Sequence, residues 1–85
     1  MPRTVARVPT VMRAGPYRFF FWSNEPPEPA HTHVESGGAH AKFWLDPVSL
    51  ADSDGYNPRE IARIRRLVAA NRLELRERWL DFFGG

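Results

Sequence analysis

Six consecutive residues, Tyr17-Arg18-Phe19-Phe20-Phe21-Trp22, constrain this chain more than any other feature. In a strand, successive side chains point to opposite faces, so Tyr17, Phe19 and Phe21 share one face while Arg18, Phe20 and Trp22 share the other. Aromatics on both faces of one strand require cover on both faces, which makes this an interior strand of a sheet. Eighty-five residues can bury one modest core, and six Phe, three Trp and two Tyr are dense enough to fill it. The segment Thr10-Val11-Met12-Arg13 is a short β-prone piece before it, separated by the turn signal Gly15-Pro16.

After Trp22 the chain enters Ser23 to Ala30, where Pro26, Pro27 and Pro29 favour a stiff, extended loop. His31-Thr32-His33-Val34-Glu35 resumes strand alternation. Ser36-Gly37-Gly38 is a tight connection, and Ala39 to Leu45 reads as the return strand of a hairpin ending at Asp46-Pro47. Val48 to Tyr56 reads as a loop with at most one helical turn.

A helix start follows. Asn57 suits the N-cap, Pro58 the first helical position, and Glu60 the place from which a carboxylate returns a hydrogen bond to the cap. Ile61, Ile64, Val68, Leu75, Trp79 and Phe82 then fall on one stripe at helical spacing. Asn71 and Arg72 interrupt that stripe, and Asn71 with Glu74 repeats the cap signature, so one continuous helix and two shorter ones both remain open. The expected fold is α+β: a small antiparallel β-sheet of about three or four strands packed on a long C-terminal amphipathic helix, either continuous or broken near Asn71. Residues 1–8 are expected to be a flexible leader and residues 9–85 a single domain.

Several classes of function are excluded. With no cysteine there is no disulfide, iron–sulfur cluster or thiolate zinc site. There is no glycine-rich phosphate loop, nucleophile elbow or H-E-x-x-H motif, and no cofactor is expected. The longest apolar run, Phe19 to Trp22, is far short of a bilayer span, and Arg3, Arg7 and Arg13 leave no signal-peptide core near the start. A cytoplasmic location and no membrane partner are expected.

Two constellations carry chemistry. His31, His33 and Glu35 lie two apart on one strand face, a combination suited to proton exchange near neutral pH, and less well to a metal site, since two strand ligands supply only part of a coordination sphere. No metal is therefore assigned. His40, across the hairpin, and Glu25, in the proline loop, are near enough in sequence to approach. The plainer alternative is a solvated polar face with Thr32 and Val34 turned inward. Arg18 and Lys42 sit among aromatics and need partners; Glu25, Glu35 and Asp46 are the acids available to Arg18. If those cations share a face with the histidines, the patch suits phosphate and stacked bases. The second constellation is basic. Net charge is only +2, yet seven of the eleven Arg lie between Arg59 and Arg78. Arg59, Arg63 and Arg66 form a ridge opposite the apolar stripe, without acids from Arg63 to Arg72, fit for an acidic partner or nucleic acid. Arg72, Arg76 and Arg78 meet Glu74, Glu77 and Asp81 at helical spacings and read as a solvated, ion-paired surface.

From Pro9 onward the chain resembles a family of small bacterial proteins known as domain of unknown function four-one-six-zero. The resemblance rests on Pro9-Thr10-Val11, on Tyr17 through Trp22 with Ser23-Asn24-Glu25, on the proline loop into His31-Thr32-His33-Val34-Glu35, on Ala41-Lys42-Phe43-Trp44-Leu45, and on a C-terminal helix carrying Asn71 and Trp79. Met1 to Val8 extends beyond the family's usual start, and Ala30 stands where the family tends to place proline directly before the first histidine. The resemblance implies one half of a two-gene type II toxin–antitoxin module, with this half as the toxin, a cognate small protein as partner, and RNA or translation as a target. Arg18, Glu25, His31, His33 and Lys42 match the family's polar signature. Chemistry nominates His31, His33 and Glu25 for catalysis and Arg18, Lys42, Arg59, Arg63 and Arg66 for contact with phosphate, nucleic acid or partner. A non-enzymatic binding module is the alternative, and self-association is compatible with either.

Overall fold

The computed structural model describes residues 10–22 and 28–84; the leader at 1–8 and Glu25 lie outside them. Five strands form one antiparallel meander in the order of the sequence: β1 (Thr10–Ala14), β2 (Tyr17–Phe20), β3 (His31–Ser36), β4 (Ala39–Leu45) and β5 (Val48–Asp54). The aromatic segment forms β2, interior between β1 and β3, and Tyr17, Phe19, Phe20 and Phe21 are all buried.

Local chemistry sets the register of the central hairpin. Ser36 pairs with Ala39 across Gly37 and Gly38, whose φ values of 51° and 87° lie in the left-handed region that glycine enters without steric cost. That two-residue turn places Glu35 opposite His40, His33 opposite Lys42, and His31 opposite Trp44. β4 then turns through Asp46 and Pro47 directly into β5.

Two sequence expectations are corrected here. The sheet has five strands rather than three or four, because Val48 to Asp54 is a strand and not a loop; it pairs with β4 despite a local shift of register between Lys42 and Phe43. The long helix is replaced by α1 (Pro58–Ala70), α2 (Arg72–Trp79) and a π-helical turn at Leu80–Gly84. The break falls on Asn71, with φ −113° and ψ 19°. Its side-chain amide does not cap α2 but turns back, Nδ2 donating to the Leu67 carbonyl at 2.8 Å. The hydrogen bonds Asn71 N–H to Leu67 and Leu75 N–H to Asn71 survive, so the two helices meet at a kink and the chain does not reverse.

At the start of α1, Asn57 Oδ1 accepts from the Glu60 N–H at 2.8 Å, as its cap position implies. The Glu60 carboxylate does not complete a capping box; it accepts from the Tyr17 hydroxyl. Burial first, and that hydrogen bond second, push the Tyr17 phenol above its usual range.

One face of the sheet packs on the helices. Tyr17, Phe19, Val34, Ala41, Phe43 and Leu45 from the strands join Ile64, Val68 and Leu75 in a single core. Phe82, expected on the buried stripe, is 45% exposed because the π-helical turn rotates it off that face. Among the described residues no helix is long and apolar enough to cross a membrane.

Candidate functional site

The face of the sheet turned away from that core gathers most of the nominated residues. Residues directly opposite one another in antiparallel strands share a face, so the register brings Arg18, Glu35 and His40 into one row and Phe20, His33 and Lys42 into the next, with His31 and Trp44 in a third. The sequence placed His31, His33 and Glu35 on one face, and the structure keeps them there. The expectation of a solvated face does not hold. His31 is fully buried and His33 is 6% exposed, while Thr32 and Val34 on the other face are buried as well.

The two rings of β3 meet edge to face, with centroids 5.3 Å apart. Each is then held differently. His31 Nδ1 lies 2.9 Å from the Pro29 carbonyl oxygen; a carbonyl only accepts, so Nδ1 carries the proton and donates. Its ring packs on Trp79 at 4.7 Å and on Trp44 at 5.6 Å. His31 is thus tied to backbone and enclosed by two indoles, with Oε1 of Glu28 3.7 Å from the same nitrogen. His33 instead stacks on Phe20 at 5.3 Å and places Nδ1 3.0 Å from Nε2 of His40. The His33 and His40 rings are nearly parallel, with centroids 5.2 Å apart, so they meet tip to tip along the N···N line. One nitrogen must donate and the other accept, and protonation of both would replace the hydrogen bond by repulsion.

The cations are paired. Arg18 donates from Nε at 2.9 Å and from Nη2 at 2.7 Å to one oxygen of Glu35, and from Nη1 to Thr10 Oγ1 at 2.8 Å, with its guanidinium 4.3 Å above the Phe20 ring. Glu35 is thus the partner found among the candidate acids. Lys42 Nζ reaches Glu28 Oε1 at 2.8 Å and lies 4.7 Å over the Trp44 ring. Glu28 was not singled out in the sequence, although it is the last acid of the proline loop before β3. His40 is named in the sequence as near enough to approach but is given no role there. Its signal was present: a Gly-Gly hairpin turn sets it opposite Glu35, on the face of His33 and diagonal to it.

The hydrogen bond from Lys42 holds the Glu28 carboxyl below its ordinary range; partial desolvation opposes this, and the charges of Lys42 and the histidines reinforce it. A depressed carboxylate contributes stability above its unfolded pKa, about 4.3, and loses it as pH falls through the folded value. Wild type and Glu28→Gln should therefore differ in melting temperature at neutral pH and converge in acid. A difference that persists undiminished at low pH would contradict the ion pair.

On the helices, Arg59, Arg63 and Arg66 are exposed, as expected of a ridge, and Arg65 is exposed beside them. None of the four has an ion pair among the described residues, and the charge of Arg63 is near enough to oppose the upward push on the Tyr17 phenol. Further on, Arg78 meets Glu74 at 3.7 Å one helical turn away, whereas Arg72 reaches across to Asp46 at 4.0 Å. No group of three histidine, aspartate or glutamate side chains is placed to hold a metal ion among the described residues.

This small sheet with one helix-covered face and one polar, aromatic face defines an α+β domain. The family model "Domain of unknown function (DUF4160)" matches residues 17–80, three quarters of the chain, and the protein belongs to that family. The match takes in β2 through α2, and Pro9-Thr10-Val11 falls before it. No curated protein matches the chain, and no solved structure matches it.

Proposed function

We propose that this chain is the toxin-like half of a type II toxin–antitoxin module, silenced by direct binding of a cognate protein and acting on RNA through the polar face of its sheet. The observation that carries the chemical part is the His33 Nδ1 to His40 Nε2 hydrogen bond at 3.0 Å, on the same face as Arg18 and Lys42. Transfer of a phosphodiester to a ribose 2′-hydroxyl needs one group to take the hydroxyl proton and another to return a proton to the departing oxygen. A hydrogen-bonded pair of imidazoles holds both roles in adjacent rings, the outward nitrogen of one ring taking a proton while that of the other gives one up, and passing one proton along the N···N line restores the starting state. Arg18 and Lys42 flank the pair as phosphate donors, exchanging Glu35 and Glu28 for the incoming anion. The nominated pair thereby moves from His31 and His33 to His33 and His40, with His31 setting the ring positions. Glu25 stays a candidate on sequence grounds alone.

The test is induced expression with and without the product of the adjacent reading frame. Growth arrest that the neighbour relieves, together with co-purification of the two proteins, is the expected result. Harmless expression at high level, unchanged by His33→Ala, would remove the proposal. A second reading, a non-enzymatic binding module, draws on the pairing of both cations by carboxylates. It predicts a stable complex and no turnover of RNA by the purified chain.

A further inference from the structure

A protein partner that silences the chain, the reading on which this inference rests, needs a surface on which to dock. Beside α1 lies a groove of about 390 Å³ lined by Leu50, Ser53, Tyr56, Ile61, Ala62 and Arg65. Its floor is apolar, and Leu50 is 36% exposed there. At 100° per residue, Ala62 and Ala69 lie between this groove and the stripe carrying Arg59 and Arg66. The step from apolar floor to guanidinium row is therefore low and open. There is no acid between Glu60 and Glu74, and these arginines have no ion pair among the described residues.

We propose that this groove and the arginine row together receive an acidic protein segment bearing apolar anchors, its aliphatic or aromatic side chains seated on Leu50, Tyr56 and Ile61 and its carboxylates on Arg59, Arg65 and Arg66. Charge complementarity decides among occupants. A second copy docked by the same surface would set arginine against arginine. Residues 1–9 carry Arg3 and Arg7 and no acid, so they do not complement the row. Nucleic acid satisfies the arginines but leaves the apolar floor without use, whereas a peptide engages both. Planar guanidinium forks favour carboxylates held in two-point hydrogen bonds, which adds orientation to the attraction.

The test titrates the purified chain, followed by amide NMR shifts, with four probes: a short peptide rich in Asp, Glu and Leu; the same peptide with Ser for Leu; the same with Lys for the acids; and single-stranded RNA. The first should bind most tightly, shift the amides around Leu50, Tyr56, Ile61 and Arg65, and weaken with added salt. Ala62→Glu, at an exposed helical site that glutamate tolerates, should reduce its affinity about tenfold or more with the melting temperature retained. Arg59→Glu with Arg66→Glu should remove most of the salt dependence. Equal binding of the Ser peptide, tighter binding of RNA, shifts confined to another surface, or no binding would each overturn the proposal. Neither growth arrest nor RNA turnover enters the readout, so failure of the toxin reading and failure of this docking surface are separately visible.

Discussion

Phe43→Ala is expected to cost about 3–5 kcal/mol, enough to leave a domain of this size marginal or unfolded. Native stability runs at roughly 0.05–0.15 kcal/mol per residue, so one such loss consumes a large share of what the chain has. Phe43 lies in β4, which pairs with β3 on one side and β5 on the other, and its register partners are Thr32 and Leu50. It is fully buried in the cluster that joins the sheet to Ile64, Val68 and Leu75. Removing its ring therefore opens a cavity where the two layers meet, and neither layer can close it without breaking the strand ladder. Urea unfolding followed by tryptophan fluorescence reads the effect. Leu73→Ala is the internal control: that side chain is 70% exposed and should change stability by no more than about 0.5 kcal/mol. A Phe43→Ala protein as stable as the control would place the core elsewhere.

The same contrast explains what the residues reveal unaided. β2 is legible because five aromatics in six positions admit no other economical burial, and β3 and β4 because alternation meets a Gly-Gly turn. β5 is not legible. Val48-Ser49-Leu50-Ala51-Asp52-Ser53-Asp54 is rich in residues that strands disfavour, and it is an edge strand formed by backbone pairing to β4 more than by its own preference. The helix break was visible as an alternative in Asn71, yet the cap signature with Glu74 suggested the wrong hydrogen bond; the amide satisfies the end of α1 instead. At the candidate site, alternation places His31 and His33 together but says nothing of depth. The burial of His31 depends on Trp79, 48 positions away in sequence, whose ring reaches the end of β3. Likewise, Arg18 and Lys42 announce a need for acids, and only the three-dimensional path of the chain selects Glu35 and Glu28.

Within the proposed RNA chemistry, His40→Gln should lower turnover by about 10²–10⁴-fold while leaving the fold intact. Glutamine has a similar reach and can hydrogen-bond to His33, but it neither takes up nor releases a proton near neutral pH. His40 is half-buried at the rim of the face, so the substitution opens no core cavity, unlike changes at His33, which stacks on Phe20. The comparison with Lys42→Ala separates roles: loss of a phosphate contact raises KM, whereas loss of the proton carrier lowers kcat. A pH–rate profile adds a readout that mere positioning would not move. In wild type the profile should be bell-shaped, since one ring must be neutral to accept and the other protonated to donate. In His40→Gln that profile should lose one limb. If purified protein turns over RNA equally well with glutamine at this position, the His33–His40 pair is a structural hydrogen bond between two strands, and the polar face serves to bind rather than to react.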